Sequence, residues 1–206
     1  MMPLIALAAI AAFAAPAQAA KLSSAGGTIH YVAGQGENND VRVNVKLTLG
    51  VTVYTFTDHD APIEIGVGNC DLINGVGMCA TFGVRALHVN ARDKDDTIKI
   101  AVAGEDALAA PRIPTVLIRG RGEDVLIGGN GRDKLKGNNG RDTLRGRKGK
   151  DVHKGGRGSD TLQTLDGQGD LVVNCGEGRR DLVRADPQDP EPRRCELGGR
   201  KVSKPF

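Results

Sequence analysis

Tryptophan is absent from this 206-residue chain, and with two Tyr and four Phe the aromatics reach only 3%. That scarcity argues against a large enzyme core built on bulky rings. Catalytic signatures are missing as well: there is no HExxH, no GxSxG and no P-loop. The triplet Asp58-His59-Asp60 has no nucleophile to partner it and reads as a polar turn after a strand, so a non-enzymatic chain is expected. Beyond the first residues, no apolar run is long enough to span a bilayer. What the chain has in excess is glycine, 29 residues of it. Glycine supplies positive φ at low steric cost, which suits a thin structure of turns and short strands.

The opening residues, MMPLIALAAIAAFAAPAQAA, are apolar, carry no charged side chain and end in Ala17-Gln18-Ala19. This pattern predicts a secretory signal peptide over 1–19, cleaved after Ala19; a membrane anchor is the competing reading, but the run is short and ends at Pro16. Export makes disulfides plausible for the four cysteines, which allow three pairings. The local choice is Cys70 with Cys79 and Cys175 with Cys195. A cysteine metal site finds no CxxC or Cys/His spacing to support it. Charge is uneven: residues 20–110 carry 7 basic and 11 acidic side chains, residues 111–206 carry 21 and 14.

The basic half repeats with a period of nine: RGRGEDVLI (119–127), GGNGRDKLK (128–136), GNNGRDTLR (137–145), GRKGKDVHK (146–154) and GGRGSDTLQ (155–163). Place four is always glycine (Gly122, Gly131, Gly140, Gly149, Gly158), and place six is always aspartate (Asp124, Asp133, Asp142, Asp151, Asp160). Place eight is Leu126, Leu135, Leu144, His153 and Leu162. The first six residues of each unit turn, and the last three make a short strand with one inward residue. A unit with one buried leucine cannot stand alone, so units must stack and share a thin core. The expected fold class is all-β: a parallel β-roll or β-solenoid, two units per coil, with an irregular disulfide-pinned β-rich N-terminal segment.

These units resemble the hemolysin-type (RTX) calcium-binding nonapeptide repeat, G-G-x-G-x-D-x-U-x. The resemblance implies Ca2+ held between stacked turns by the sixth-place carboxylates and by turn carbonyls. Asp124, Asp142 and Asp160 would line one edge, and Asp133 and Asp151 the other. It further implies that Gly122, Gly131, Gly140, Gly149 and Gly158, with Asn130 and Asn139, belong to the metal-binding turns. The chain departs from the pattern at Arg119, Asn138 and Arg147, which stand where glycine is expected, and at His153, which replaces an inward leucine. Asn tolerates left-handed backbone and Arg does so at a cost. Basic side chains at the outward places, including Arg132, Lys134, Arg141, Arg145 and Lys150, raise the local positive potential. Weak binding is expected, with Kd roughly 10⁻⁴ to 10⁻³ M.

Residues 20–110 read as an irregular β-rich segment with degenerate repeats, or alternatively as an independent small β-domain. VRVNVKLTLGVTVYTFTD (41–58) alternates as strands do. LHVNARDKDDTIKI (87–100) is a worn repeat with Asp96 in place six, expected to have lost its metal, and 33–41 is a fainter one. The nonapeptide region is assigned to 111–183, although its phase slips after 163; there DGQGD (166–170) is one residue short and Asp181 falls one place late. Residues 184–206 are expected to form a proline-rich cap tied by Cys195, ending in a mobile tail from 197. Two functional readings remain. One is a secreted extracellular module whose folding is coupled to calcium. The other is a calcium-independent scaffold binding an anionic cell-surface polymer through Arg132, Lys134, Arg141, Arg145 and Lys150. Nucleic acid is disfavoured because aromatic stacking residues are missing.

Overall fold

The computed structural model describes residues 19–48, 51–80, 83–102 and 112–201. The expected leader, except Ala19, and the last five residues of the expected tail lie outside the described residues. Among the described residues there are only strands, turns and bends, with no helix.

The N-terminal strands are β1 (Ala20–Ala25), β2 (Thr28–Val32), β3 (Asp40–Thr48), β4 (Val51–Asp58) and β5 (Ile63–Ile65). They are followed by β6 (Cys70–Ile73), β7 (Val76–Ala80), β8 (Ala86–Asn90) and β9 (Thr97–Val102). Then come β10 (Thr115–Ile118), β11 (Val125–Ile127), β12 (Lys134–Asn139), β13 (Thr143–Arg145) and β14 (Val152–Gly158). The chain closes with β15 (Thr161–Gln163), β16 (Val172–Gly178), β17 (Leu182–Ala185) and β18 (Leu197–Lys201).

From β8 to β17 the strands go alternately to two sheets, and every neighbouring pair within a sheet is parallel. The registers stack one inward residue upon another. In the eight-stranded sheet the file is Tyr31, Val89, Leu117, Leu135, His153 and Val173. In the ten-stranded sheet it is Val41, Ile98, Leu126, Leu144, Leu162 and Val183. All twelve are at most 1% exposed, so the core of the repeat half is built on two facing files, with one side chain per strand from β11 to β15. Losing one buried leucine from such a file costs about 2–5 kcal/mol, because nothing beside it can fill the gap.

The parallel files do not stop at the repeats. β2 and β3 continue them through β8 and β9, and antiparallel strands then widen both sheets. β3 pairs with β4, β4 with β7 and β7 with β6. β3 shows why: Val41, Val43 and Val45 are buried while Arg42, Asn44 and Lys46 are exposed, the alternation that a one-sided sheet requires. Tyr31 stacks on Phe56 with ring centroids 6.2 Å apart, adding bulk that the repeats lack. Asn74-Gly75, both with positive φ, turns β6 into β7, as a two-residue hairpin demands.

Both disulfides pair as the local reading expects. Cys70 and Cys79 face each other across β6 and β7, with Cα atoms 4.2 Å apart. Cys175, buried in β16, is bonded to Cys195 beyond the prolines. Around that bond, Arg193 donates to Val173 O and accepts from Cys175 N, so this segment lies along the outer edge of β16. The tail departs from expectation. Leu197–Lys201 forms β18, which pairs in parallel with β17. The open edge of β17 carries unpaired N–H and C=O groups, and the last residues satisfy them.

Candidate metal sites in two stacked turn columns

The turns joining the two sheets stack into one column at each edge, and the sixth-place aspartates point into these columns. Along the first, Asn39 N donates to Asp96 Oδ1 at 2.7 Å and Asp96 N to Asp124 Oδ1 at 3.0 Å. Asp124 N donates to Asp142 Oδ1 (3.1 Å), Asp142 N to Asp160 Oδ1 (2.9 Å) and Asp160 N to Asp181 Oδ1 (2.8 Å). Along the second, Thr115 N donates to Asp133 Oδ1 (2.9 Å), Asp133 N to Asp151 Oδ1 (2.8 Å), Asp151 N to Asp170 Oδ1 (2.9 Å) and Asp170 N to Asp189 Oδ1 (2.9 Å). Each carboxylate thus links its own coil to the preceding one.

Only one oxygen of each carboxylate is used this way. Oδ2 of Asp124, Asp142, Asp151, Asp160 and Asp181 is buried with no hydrogen-bond partner. Asp133 differs, its Oδ2 accepting from Gly129 N at 2.7 Å. A buried ionised oxygen without a partner is expensive, so each calls for a proton or a cation. The carboxyls of Asp124, Asp142, Asp151 and Asp160 sit accordingly above their ordinary value of 3.8. Burial lifts Asp142 and Asp151 to about 7 and Asp160 to about 6, with neighbouring carboxylates adding to it. Asp170 is lifted to about 8 in the same way. Asp124 reaches about 6, burial winning over the opposing pull of Arg119. Asp133 is also raised by burial.

The first-place glycines make room beside these oxygens. A Cβ on Gly137 would stand 2.3 Å from Asp142 Oδ2 and 2.7 Å from Gly155 O; one on Gly155 would stand 2.3 Å from Asp160 Oδ2 and 2.4 Å from Cys175 O. Gly146 would bring its Cβ to 2.1 Å from Asp151 Oδ2. Each of these spaces is bordered by an unpartnered carboxylate oxygen, and at Gly137 and Gly155 by a carbonyl of the next coil as well. Fourth-place glycines serve close stacking. A Cβ on Gly140, whose φ is +140°, would fall 1.6 Å from Gly122 O, and one on Gly149 1.8 Å from Gly131 O. The same holds for Gly158 against Gly140 O at 1.8 Å, so the turn carbonyls run up the column.

Oxygen donors of this kind suit a hard divalent cation. Among the described residues no group of three or more His, Cys, Asp or Glu side chains comes together as a metal site. The carboxylates stand in single file, so Ca2+ would take one or two of them per step and complete its shell with turn carbonyls.

Of the other expected ligands, Asn139 is exposed at the end of β12, and its backbone bonds Gly120 O and Gly122 N. Asn130 borders an outer cleft. Asp96 and Asp181, read as a lost site and a misphased residue, both stand in the first column. Asp181 regains its place because the chain takes 21 residues from Leu162 to Val183, where the repeats take 18 from Leu144 to Leu162. Asn138 and Arg147, at place two, adopt left-handed backbone with φ of 75° and 70°. His153 fills the inward file at 0% exposure, where burial holds it down to about 4 and therefore neutral.

The five basic candidates do not share a face. Arg132 and Lys150 border one edge cleft of about 390 Å³ with Arg112 and Lys148. Lys134 lies in the eight-stranded sheet between Val116 and Val152, and Arg145 lies in the other sheet. Arg141 is at the opposite edge, 3.8 Å from Glu123. The nine-residue period puts successive units on opposite sheets and edges, so similar places in neighbouring units are separated. Asp58-His59-Asp60 likewise disperses: Asp58 accepts from the Tyr31 hydroxyl, while His59 Nδ1 lies 3.1 Å from Asp40.

No curated protein matches the chain, and no solved structure does. One family model matches, over the segment where the columns are most regular. Residues 119–152 match four copies of the RTX calcium-binding nonapeptide repeat.

Proposed function

We propose that this is a secreted, non-enzymatic calcium-binding protein whose β-roll is completed by Ca2+ seated between stacked Gly/Asp turns. The observation that carries the reading is the row of buried Oδ2 atoms without partners, those of Asp142, Asp151 and Asp160 each beside space left by a first-place glycine. Ca2+ supplies positive charge to carboxylates that otherwise repel one another or hold protons. The chain's own part is to aim the carboxylates inward through the Oδ1 ladder, and to keep side chains out of the turn through glycine. Export is supported by the apolar leader, the two disulfides and the start of β1 at Ala20, the residue after the expected cleavage point.

Calcium titration of the EDTA-stripped protein, followed by binding heat and circular dichroism together, tests this. The expected result is a saturable heat with a Kd of roughly 10⁻⁴ to 10⁻³ M and a gain of β signal. Asp142→Ala should lower the number of bound ions. A folded protein giving no heat at several millimolar calcium would rule the reading out.

A second reading, an anionic surface polymer bound without calcium, rests on the cleft between Arg112, Arg132, Lys148 and Lys150. It predicts polyanion binding that survives Asp142→Ala and weakens in Arg132→Ala/Lys150→Ala, with steep dependence on salt.

A further inference from the structure

Arg119 occupies place one of the first unit, where the later units have glycine. Its side chain is fully buried. The guanidinium makes an ion pair with Asp96 Oδ2 and lies 3.6 Å from Asp124 Oδ1. It therefore sits inside the first column, between the coil of Asp96 and the coil of Asp124. At the steps below, the Oδ2 atoms of Asp142 and Asp160 have no hydrogen-bond partner, and among the described residues no ion pair reaches them. The Oδ2 of Asp96 likewise accepts no hydrogen bond, but at this step it faces a positive charge belonging to the chain itself. The turn is closed around it: Asn138 Nδ2 donates to the Arg119 carbonyl, and Arg119 N donates to Lys136 O at 3.1 Å. A buried guanidinium must be paired to be tolerated, and here two carboxylates of successive coils do the pairing.

We propose that Arg119 is a resident counter-ion that takes the place of a metal ion at the Asp96–Asp124 step. This coil is then set without calcium, and the metal-dependent part of the first column begins at Asp142. The proposal rests on the calcium reading above and deepens it, since it fixes where the calcium sites start. A divalent ion entering the same space would meet a fixed positive charge with no water between them. Arg119 thereby lowers the number of calcium sites by one and joins the repeats to the N-terminal strands in a calcium-free medium.

The test compares the wild-type protein with Arg119→Gly, Arg119→Met and Arg119→Met/Asp96→Asn, by calorimetric calcium titration and by thermal melting in EDTA. Arg119→Gly restores the repeat pattern, so it should bind one more calcium ion than the wild type. In EDTA its Tm should fall by about 10 °C, the order expected from breaking a buried pair, with saturating calcium closing the gap. Arg119→Met fills the space without charge and should melt low in EDTA, with little recovery in calcium. Adding Asp96→Asn should return much of that loss, because the stranded carboxylate is gone. An unchanged calcium count in Arg119→Gly would overturn the proposal. So would Arg119→Met melting in EDTA like the wild type, or a double variant melting as low as Arg119→Met. If the wild type bound no calcium, the calcium reading would fall by itself, while the two Met variants would still decide whether Arg119 acts as a counter-ion or only packs.

Discussion

Residues 20–102 and residues 112–189 carry the same two parallel files of inward side chains, yet they hold them together differently. The N-terminal part adds antiparallel strands, the Tyr31–Phe56 stack and the Cys70–Cys79 bond. Its inward charges find partners within the chain, Asp96 in Arg119 and Asp58 in Tyr31. The repeat part has one inward side chain per strand from β11 to β15 and relies on its turns, whose carboxylates are buried and only half satisfied. A narrow stack leaves little apolar area to bury, so its stability follows the state of its turns. The acidic groups of the first region are answered by side chains of the chain itself, Arg119 from the first repeat unit among them; the carboxylates further along the repeats are built to receive counter-charge from solution.

The largest expected effect separates the two regions by pH and metal. Asp124 and Asp160 (about 6), Asp142 and Asp151 (about 7) and Asp170 (about 8) all hold their protons more tightly in the fold than at their ordinary 3.8. The folded chain thus binds more protons than the unfolded chain between about pH 4 and 8, and the metal-free fold loses stability as pH rises through that window. His153, held at about 4, pulls the other way between about pH 4 and 6.5, and the lowered His88 and Asp40 also oppose the trend, but the raised carboxyls, Asp133 and Asp166 included, outnumber them. Melting curves in EDTA should therefore show Tm falling from pH 4.5 to 8, and saturating calcium should flatten the fall. Hydrogen exchange in EDTA at pH 8 should quicken first in β11 to β15, while β3 and β4 stay protected. Equal acceleration in both regions would erase the distinction between them.

Next in size are the two disulfides. Cys175–Cys195 closes a 20-residue separation and should contribute about 3 kcal/mol, against about 2.5 kcal/mol for Cys70–Cys79 at 9 residues. Cys175→Ser/Cys195→Ser should loosen the outer edge of β16 in the repeat half, and Cys70→Ser/Cys79→Ser should loosen β6 and β7. Denaturant unfolding of each variant measures the difference. Calcium should compensate the first pair of substitutions and leave the second unaffected.

The smallest effect concerns backbone strain. Arg92 is exposed and holds φ at 66°, a left-handed conformation that disfavours a Cβ. Arg92→Gly should stabilise the protein by about 0.5–1 kcal/mol, the relief of strain exceeding the added freedom of the unfolded chain. A denaturant midpoint at or below that of the wild type would show that this turn prefers its arginine.

Much of the repeat half could be read before the fold was known. A glycine at every fourth place and an aspartate at every sixth define turns, and Leu126, Leu144 and Leu162 define one inward file. Two units per coil then send Asp124, Asp142 and Asp160 into one column and Asp133 and Asp151 into the other. The extensions of those columns were not legible. Asp181 and Asp189 fall out of phase, and Asn39 lies in a segment with little repeat character, yet all three join the ladders. Register there is set by where β3, β16 and β17 pair, and a nine-residue count does not carry that information.

The period, the glycine places and the leucine file belong to the sequence itself, because each follows from what one residue can do locally: turn, alternate or bury. Which charges become part of the interior was decided by the tertiary structure. Arg119 looks like a worn glycine place, and Arg132, Lys134, Arg141, Arg145 and Lys150 look like one basic row. Folding buries the first against Asp96, 23 residues earlier, and distributes the others over two edges and two sheets. A charge enters a core only when a partner of opposite sign is already held there, and that partner is supplied by a distant turn.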